Sequence, residues 1–280
     1  MENIMTDELV EQPVGGALTA PSQAPSFMEP DSGMGVEDLG KYVVPPRLKI
    51  VQSNSNETFL SRFDKGDAII VPQMFLIAAV NKNEQGKPAD TGQPFHFVPL
   101  FFFPEWCCWN PIETRGTLPS VRYRTTDPND PAVSKCRDPK LWKEEIDGFA
   151  CRWVEHLNFI SVIIGDHELA GTPVIISFAR AEHRAGSNFA ALIKMRKAPM
   201  FGCQFEARVT FRPDNNKGQW YGLDISNPSQ DSGITPFLTD EVAYDAFKKL
   251  HLEMKEAHGA AKIKVDYEEE PPTDDGDGEY

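Results

Sequence analysis

Residues 203–226 have the sequence CQFEARVTFRPDNNKGQWYGLDIS, and their pattern decides the fold class. Apolar and polar side chains alternate from Phe205 to Phe211, which is typical of a strand with one buried face. The next residues, PDNNKGQ, are turn formers, and they lead directly into a second apolar run that begins at Trp220. The segment therefore predicts an antiparallel β-hairpin.

Short apolar runs broken by turn residues continue over most of the chain from residue 41. Further strands are predicted in YVVPPRLKIVQ, DAIIVPQMFLIAAV, PFHFVPLFFF, NFISVIIGD and TPVIISFAR, with HELAG joining the last two as a hairpin. Prolines inside these runs indicate edges or bulges. Residues 104–150 are predicted to form a long irregular stretch, which inside a compact β domain is usually functional or disordered.

Two helices are predicted between and after the strands. The first covers 187–197 with Ser187 as its N-cap, and the second covers 239–259 with Thr239 as its N-cap and an apolar stripe that includes Val242. The resulting fold class is mainly β with inserted helices: an OB-like β-barrel over 41–238, then a C-terminal helix and linker over 239–265. Residues 1–40 and 266–280 are expected to be disordered acidic tails, because they offer little apolar surface to offset the entropy of ordering.

The formal net charge of −14 is concentrated at the two ends of the chain. Residues 1–40 contain eight acidic residues and residues 266–280 contain another eight, with no Lys or Arg in either segment. The other 26 acidic residues face all 28 Lys and Arg, so the middle of the chain carries a charge of +2. Overall acidity therefore does not exclude a nucleic-acid partner.

Sequence motifs for catalysis or cofactor binding are missing. The chain has no phosphate-binding glycine loop, no dinucleotide fingerprint and no nucleophile elbow, so we expect neither an enzyme nor a cofactor. No signal sequence or apolar run of 18 residues is present, so a cytoplasmic protein with reduced thiols is expected. The spacing of Cys107, Cys108, Cys136 and Cys151 favours buried thiols, and a structural zinc site stays open as the alternative.

Basic residues and aromatic residues fall in the same segments, as binding of single strands requires. Grouped cations gain affinity for phosphates by releasing counterions together, and an exposed aromatic ring can stack a base whatever the sequence. Each of these aromatics is more typical of a core residue than of a stacking platform, and Tyr123, between two arginines, is the ring most expected in solvent. The predicted nucleic-acid contacts are Arg47, Lys49, Trp109, Arg122, Tyr123, Arg124, Arg180, Arg184, Lys194, Arg196, Lys197 and Trp220.

The C-terminal tail is acidic and ends on an aromatic residue. A tethered polyanion competes with DNA for a basic surface at an effective concentration on the order of mM, and the released tail can bind a partner protein. A purely solubilising role is the simpler alternative. The predicted partner-binding residues are Asp274, Asp275, Asp277, Glu279 and Tyr280.

These features together resemble the single-stranded DNA-binding proteins of bacteriophages. The segments that carry the resemblance are Pro45 to Gln52, Val174 to Phe178, Ala191 to Lys197, Asn216 to Tyr221, the helix at 239–259 and the acidic end. The resemblance implies an OB-fold, sequence-tolerant protection of single strands in replication, recombination or repair, and a tail that contacts replication proteins such as a polymerase or helicase. The acidic N-terminal segment and the final Tyr280 depart from that pattern.

Two functional hypotheses from other classes remain at this point. A virion or assembly protein without nucleic-acid binding would also gain from acidic ends, and a nuclease would require a converging set of carboxylates that no spacing in the chain proposes. Single-stranded DNA binding is the preferred hypothesis. The sequence leaves a homo-oligomer open.

Overall fold

The computed structural model describes residues 45–86, 88–114, 117–214, 218–259, 263 and 265–267. Within these residues the fold is mainly β, as the sequence predicts, with α-helices inserted between strands and after them. The strands are β1 Arg47–Ile50, β2 Ala68–Val71, β3 Phe75–Ala78, β4 Val80–Lys82, β5 Pro88–Trp109, β6 Val121–Thr125, β7 Lys143–Ile146, β8 Phe149–Ile164, β9 Pro173–Ala179, β10 Phe205–Asp214 and β11 Gly218–Ser226.

The strands described form one mixed sheet in the order β11-β10-β5-β8-β9-β1-β2-β3, with β4 and β6 paired to β5 and β7 paired to β8. Both predicted hairpins are confirmed, because β10 pairs antiparallel with β11 and β8 pairs antiparallel with β9. The only parallel pairing among the described strands joins β1 to β9 at Arg47 and Ile175. The prediction of a bulge at a proline is also confirmed, since the register of β5 against β8 shifts between Pro99 and Phe101.

The prediction of an irregular stretch over 104–150 is wrong for the residues described. The strand β5 continues to Trp109, and its partner β8 extends back to Phe149, so the two form a ladder from His96↔Ile164 to Trp109↔Arg152. The strands β6 and β7 flank this ladder on either side. The segment contains Trp, Cys and charged residues without clean alternation, because both faces of the extended ladder are covered by other parts of the chain.

Four α-helices are described: α1 Glu57–Leu60, α2 Pro131–Arg137, α3 His183–Met195 and α4 Glu241–Gly259. The helix α3 begins four residues before the predicted start, and the Ser187 hydroxyl donates to the His183 carbonyl within the helix instead of capping it. The cap of α4 is Asp240, whose carboxylate accepts the Val242 N–H at 2.9 Å, and not Thr239. Within the described residues, short 3₁₀ turns lie at Ile112–Thr114, Arg180–Glu182, Met200–Gly202 and Gln230–Ser232.

The helices cover opposite faces of the sheet. Helix α3 lies on one face, where Phe189 packs against four other phenylalanines of the main core at ring distances of 4.6–6.4 Å. Gly186 allows this close approach, because a Cβ there would lie 2.6 Å from the Cβ of Phe178. Helix α4 covers the other face through Phe247, Leu250 and Met254. Val242 does not join this stripe, since it is exposed.

A closed OB-like barrel is not confirmed, because the ladders described follow an open path from β11 to β3. The sheet does curl: a single residue, Ala79, separates β3 from β4, and β4 pairs with β5. The Ala79 carbonyl accepts the Gln93 N–H of β5 at 2.8 Å, so the end of the β2–β3 side returns to the middle of the sheet. No helix among the described residues is long and apolar enough to cross a membrane.

Candidate nucleic-acid interface

Strand β6 presents the predicted Arg-Tyr-Arg motif at the far end of the long ladder. Tyr123 pairs with Cys108 of β5, and its ring stands edge-on to Trp153 with centroids 5.9 Å apart. The Tyr123 hydroxyl donates to Asp130 at 2.5 Å, which raises the pKa of Tyr123 above its ordinary value. With 44% of its surface exposed, Tyr123 is the predicted aromatic residue that reaches solvent most clearly.

The two arginines of the motif differ in how strongly the protein holds them. Arg122 forms an ion pair with Asp147, whose side chain is largely exposed. Arg124 points to the α4 face, where its Nε donates to the buried Glu105 carboxylate at 3.0 Å. Both terminal nitrogens of Arg124 also donate to the Val265 carbonyl, at 3.1 and 2.5 Å. Arg124 is therefore a structural residue as well as a candidate phosphate contact.

Tyr267 lies at the centre of the residues next to Arg124. It is 2% exposed, and its hydroxyl donates to Glu105 at 2.8 Å while accepting from the Asn158 amide at 3.4 Å. Burial, followed by the charge of Glu105, raises the pKa of Tyr267 well above its ordinary value, so the hydroxyl keeps its proton. The guanidinium carbons of Arg47 and Arg124 lie 5.3 and 5.5 Å from the centre of its ring.

Three predicted contacts from the N-terminal half are buried in the fold. Trp109 is 3% exposed and packs edge-on against Tyr267 at 5.3 Å, so a base cannot stack on it in this arrangement. Arg47 is 5% exposed beside the same Tyr267 ring, and Lys49 is 7% exposed with its ammonium 5.0 Å from the ring of Phe59. Their aliphatic or aromatic bodies complete the core, which explains the burial. Their predicted contact with DNA is untested.

The structure brings five of the predicted residues to β6 and its surroundings, with Arg47, Trp109 and Arg124 beside Tyr267 on the α4 face and Tyr123 beside Trp153 on the α3 face. We call Arg47, Trp109, Arg122, Tyr123 and Arg124 the β6 cluster. A cavity of about 270 Å³ lies between residues 121–124 of β6 and residues 265–267. The members come from β1, β5 and β6, which are far apart in sequence, and Tyr267 from the chain's C-terminal region contacts three of them.

A second group of predicted residues lies around α3, on the face of the sheet opposite to Arg47, Trp109 and Arg124. Arg184, Lys194 and Lys197 are exposed and form no ion pair within the part of the chain that the structure describes, and we call them the exposed α3 cations. No acidic residue lies between His183 and Lys197, so this helix and its end form a cationic surface. Arg180 is half-buried in the turn before α3, with a left-handed backbone at φ 50°.

Arg196 and Trp220 have structural contacts that the sequence does not indicate. The Arg196 guanidinium donates to the carbonyls of Gln204 and Pro236 and stacks over Phe205 at 3.8 Å. Burial lowers the pKa of Arg196 from its ordinary value. The Trp220 indole N–H donates to Glu182 at 3.0 Å, next to the start of α3. The predicted lane of five cations along α3 is therefore reduced to three that face solvent freely.

Four residues of the β6 region were missed by sequence reasoning: Glu105, His156, Asn158 and Tyr267. The first three lie within predicted or extended strands and carry no motif. The predicted acidic tail, 266–280, includes Tyr267, yet Ile263, Val265 and Tyr267 alternate as apolar residues and all pack in the same core cluster. That period of two is the signal that an ordered, extended segment precedes the tail.

The cysteines and carboxylates described do not assemble into a metal site. Across the described ranges no three His, Cys, Asp or Glu side chains come close enough together to hold a metal ion. Cys107, Cys108 and Cys151 are buried free thiols, and burial raises the pKa of Cys108 and of Cys136 to about 12. Thiols with such pKa values are poor nucleophiles at neutral pH.

Comparison with known proteins identifies a family and gives no precedent for its fold. Residues 16–260 match the family described as Pam3 phage gp34-like protein, which covers most of the chain, so the chain belongs to this family. This match indicates a bacteriophage origin. No curated protein and no solved structure matches the chain. The tail residues Asp274, Asp275, Asp277, Glu279 and Tyr280 lie outside the described residues.

Proposed function

We propose that this member of the Pam3 phage gp34-like family binds single-stranded DNA without sequence preference and protects it during phage DNA replication, recombination or repair. The proposal needs no catalysis and no cofactor, and it places the protein in the cytoplasm of the host cell. The observation that carries it is the β6 cluster: Arg122, Tyr123 and Arg124 line a cavity together with Tyr267, and Arg47 and Trp109 lie against the same Tyr267 ring. Cations for phosphates and rings for bases are the two requirements of sequence-tolerant binding.

The solvent side of the β6 cluster has the properties of a first contact for a single strand. Tyr123 offers a half-exposed ring, and stacking of one base contributes roughly 1–3 kcal/mol. Arg122 is paired with Asp147, whose side chain is 74% exposed. Because exposed ion pairs contribute little free energy, a phosphate can replace Asp147 at small cost. A phosphate is also a better partner than a carbonyl for the forked donors of Arg124.

The exposed α3 cations support the proposal in a different way. They lie on the face of the sheet opposite to Arg124 and Tyr267, and they carry no neutralising partner among the described residues. Unpaired cations attract a polyanion over about a Debye length and release counterions when it binds. We expect them to raise the rate of association and the affinity for a long strand, which can pass around the molecule.

The finer architecture and the tail belong to the same proposal. The curl that brings β4 onto β5 supports an OB-like arrangement of the sheet. The acidic tail is proposed to compete with DNA and, once released, to recruit replication proteins such as a polymerase or helicase. Tyr267 lies against the β6 cluster, so the acidic residues 268–280 follow in sequence directly from the surface for which they would compete.

Fluorescence anisotropy with labelled dT, dA and dC oligonucleotides tests the proposal. We expect similar affinities for the three sequences, weaker binding to duplex DNA, and affinity that falls steeply with salt. An intact oligonucleotide after incubation with Mg²⁺ or Mn²⁺ is expected as well. If no oligonucleotide binds at about 50 mM salt, where the electrostatic contribution is large, the proposal is refuted and a virion or assembly role becomes the better hypothesis.

A further inference from the structure

The surroundings of Tyr267 are unusual for a buried tyrosine. Its ring touches the aromatic rings of Trp109 and His156, with centroids 5.3 and 4.8 Å away, and it lies against two guanidinium groups. The carboxylate of Glu105 and the amide of Asn158 bind its hydroxyl. A tyrosine needs only one hydrogen-bond partner when buried. This site supplies many more polar groups than a tyrosine can use.

Two of those polar groups have no partner within the described residues. They are the indole N–H of Trp109, a donor, and the Oδ1 atom of Asn158, an acceptor. Trp109 is 3% exposed and Asn158 is fully buried, so each unsatisfied atom costs free energy. Buried polar atoms without partners are rare in folded proteins and require an explanation. A ligand with both donors and acceptors on its edge would satisfy them where Tyr267 cannot.

The backbone next to Tyr267 provides a matching second observation. The Val265 carbonyl accepts two hydrogen bonds from the terminal nitrogens of Arg124. The two donors converge on this one carbonyl oxygen, and an ionised phosphate oxygen in its place would make stronger, charge-assisted bonds. The Val265 carbonyl thus stands where a phosphate could bind. The Tyr267 ring, two residues later, stands where a base could bind.

We propose that the Tyr267 site is a nucleobase pocket that the chain itself occupies, so that single-stranded DNA enters it by replacing Tyr267 and Val265. This inference rests on the proposed function and assigns a binding site and its regulation. The base would stack among Trp109, His156 and the two guanidiniums, and its edge would meet Glu105, Asn158 and the Trp109 N–H. Arg47 and Trp109, which are both buried, lie against the Tyr267 ring that the base would replace. Occupancy of the pocket by Tyr267 lowers the apparent affinity for DNA, in proportion to the fraction of molecules whose pocket is open.

The unmodified full-length protein provides the first test, because replacement must expose Tyr267. Chymotrypsin cleavage after Tyr267 is measured by mass spectrometry with and without a saturating dT oligonucleotide. We expect the cleavage rate at this position to rise with the oligonucleotide, while cleavage at other aromatic positions does not. Inorganic polyphosphate is the matched control, since it has phosphates and no bases. The proposed pocket is refuted if polyphosphate raises cleavage after Tyr267 as much as the oligonucleotide does. It is also refuted if the oligonucleotide protects Tyr267 from cleavage.

Two variants provide the second test. The substitution Tyr267→Ala is expected to tighten oligonucleotide binding by about fivefold or more, the lower end of what one stacked base contributes. Binding of the oligonucleotide to Tyr267→Ala should also quench tryptophan fluorescence. This quenching should be lost when Trp109→Phe is added to the variant. A chain that ends at Tyr267 is the control: it lacks acidic residues 268–280 and keeps the ring in place, so it separates tail charge from pocket occupancy. Tyr267→Phe keeps the ring and removes only the hydroxyl.

The outcomes distinguish this inference from the proposed function. If the wild-type protein and every variant fail to bind DNA, the proposed function fails and the pocket fails with it. If the wild-type protein binds and Tyr267→Ala binds no more tightly, without quenching, Tyr267 is a core residue and only the pocket is refuted. If Tyr267→Ala does not fold, the cleavage experiment on the wild-type protein decides alone.

Discussion

Replacement of Arg124 by Met separates the structural role of this residue from its proposed contact with DNA. Arg124 pairs with Glu105, whose side chain is 6% exposed, while Arg124 itself is about one-third exposed. Removal of one member of a buried ion pair costs roughly 3–5 kcal/mol, because the other charge is left without its partner. Glu105 keeps the Tyr267 hydroxyl, and water can approach from the Arg124 side. We therefore expect Arg124→Met to lower the free energy of unfolding by about 3 kcal/mol.

Glu105→Gln is the matched second change. It removes the buried charge and keeps an oxygen that accepts from Tyr267. The double variant Glu105→Gln/Arg124→Met should regain most of the lost stability, to within about 1 kcal/mol of wild type, since no unpaired charge remains. Its DNA affinity should not return, and the slope of log affinity against log salt should be smaller by about 0.7, the loss of one phosphate contact on a single strand. Glu105→Gln alone should bind DNA at least as tightly as wild type.

Stability is measured by urea denaturation with tryptophan fluorescence, and affinity by anisotropy at several salt concentrations. Two results would refute the reasoning. If Arg124→Met is as stable as wild type, the ion pair between Arg124 and Glu105 does not stabilise the fold. A double variant that binds DNA like wild type, with the same salt slope, would remove Arg124 from the nucleic-acid interface.

Three further predictions concern other parts of the molecule. Tyr123→Ala should weaken oligonucleotide binding by roughly 1–3 kcal/mol, whereas Tyr123→Phe, which loses only the hydroxyl bond to Asp130, should bind almost normally in the same titration. Substitution of the three exposed α3 cations by Ala should reduce the slope of log affinity against log salt by about 2. The control is substitution by Ala at three exposed lysines of α4 (Lys248, Lys249 and Lys255), and an equal reduction there would show a general charge effect instead. Burial raises the pKa of Glu155, but hydrogen bonds from His183 and Arg137 outweigh it and lower the pKa to about 2. The stabilising effect of ionised Glu155 is therefore complete above about pH 5 and is lost as the pH falls toward 2. Urea denaturation of Glu155→Gln should show a weaker pH dependence of stability over that range than wild type, and an identical pH profile would contradict this stabilising role.

The fold class and the hairpins could be predicted because their signals are local. Alternation from Phe205 to Phe211 requires one buried face, and a run of turn residues limits how the next strand can return. The end of the long ladder could not be predicted in the same way. Residues 106–109 pack on both faces, so they lack a polar side and the alternation that marks a half-buried strand disappears.

In the candidate site, too, local features could be predicted and long-range contacts could not. Sequence grouping identified Arg122, Tyr123 and Arg124 as one unit, because neighbours on one strand stay together in any fold. It could not tell which cations are free. Arg196 meets the carbonyl of Pro236, 40 positions away, and Arg124 meets that of Val265, 141 positions away. Such partners depend on where loops return to the sheet.

The sequence by itself determined the β-rich class, the hairpin pairings, the positions of the two longer helices and the segregation of negative charge to the ends of the chain. Each of these follows from local backbone preference, side-chain periodicity or composition. Only the tertiary structure decided that the tail begins from a buried tyrosine, that α3 and α4 lie on opposite faces of the sheet, and which arginines are held by the protein. Burial and ion pairing depend on distances between residues far apart in sequence, and those distances arise only when the sheet curls and its two faces are covered.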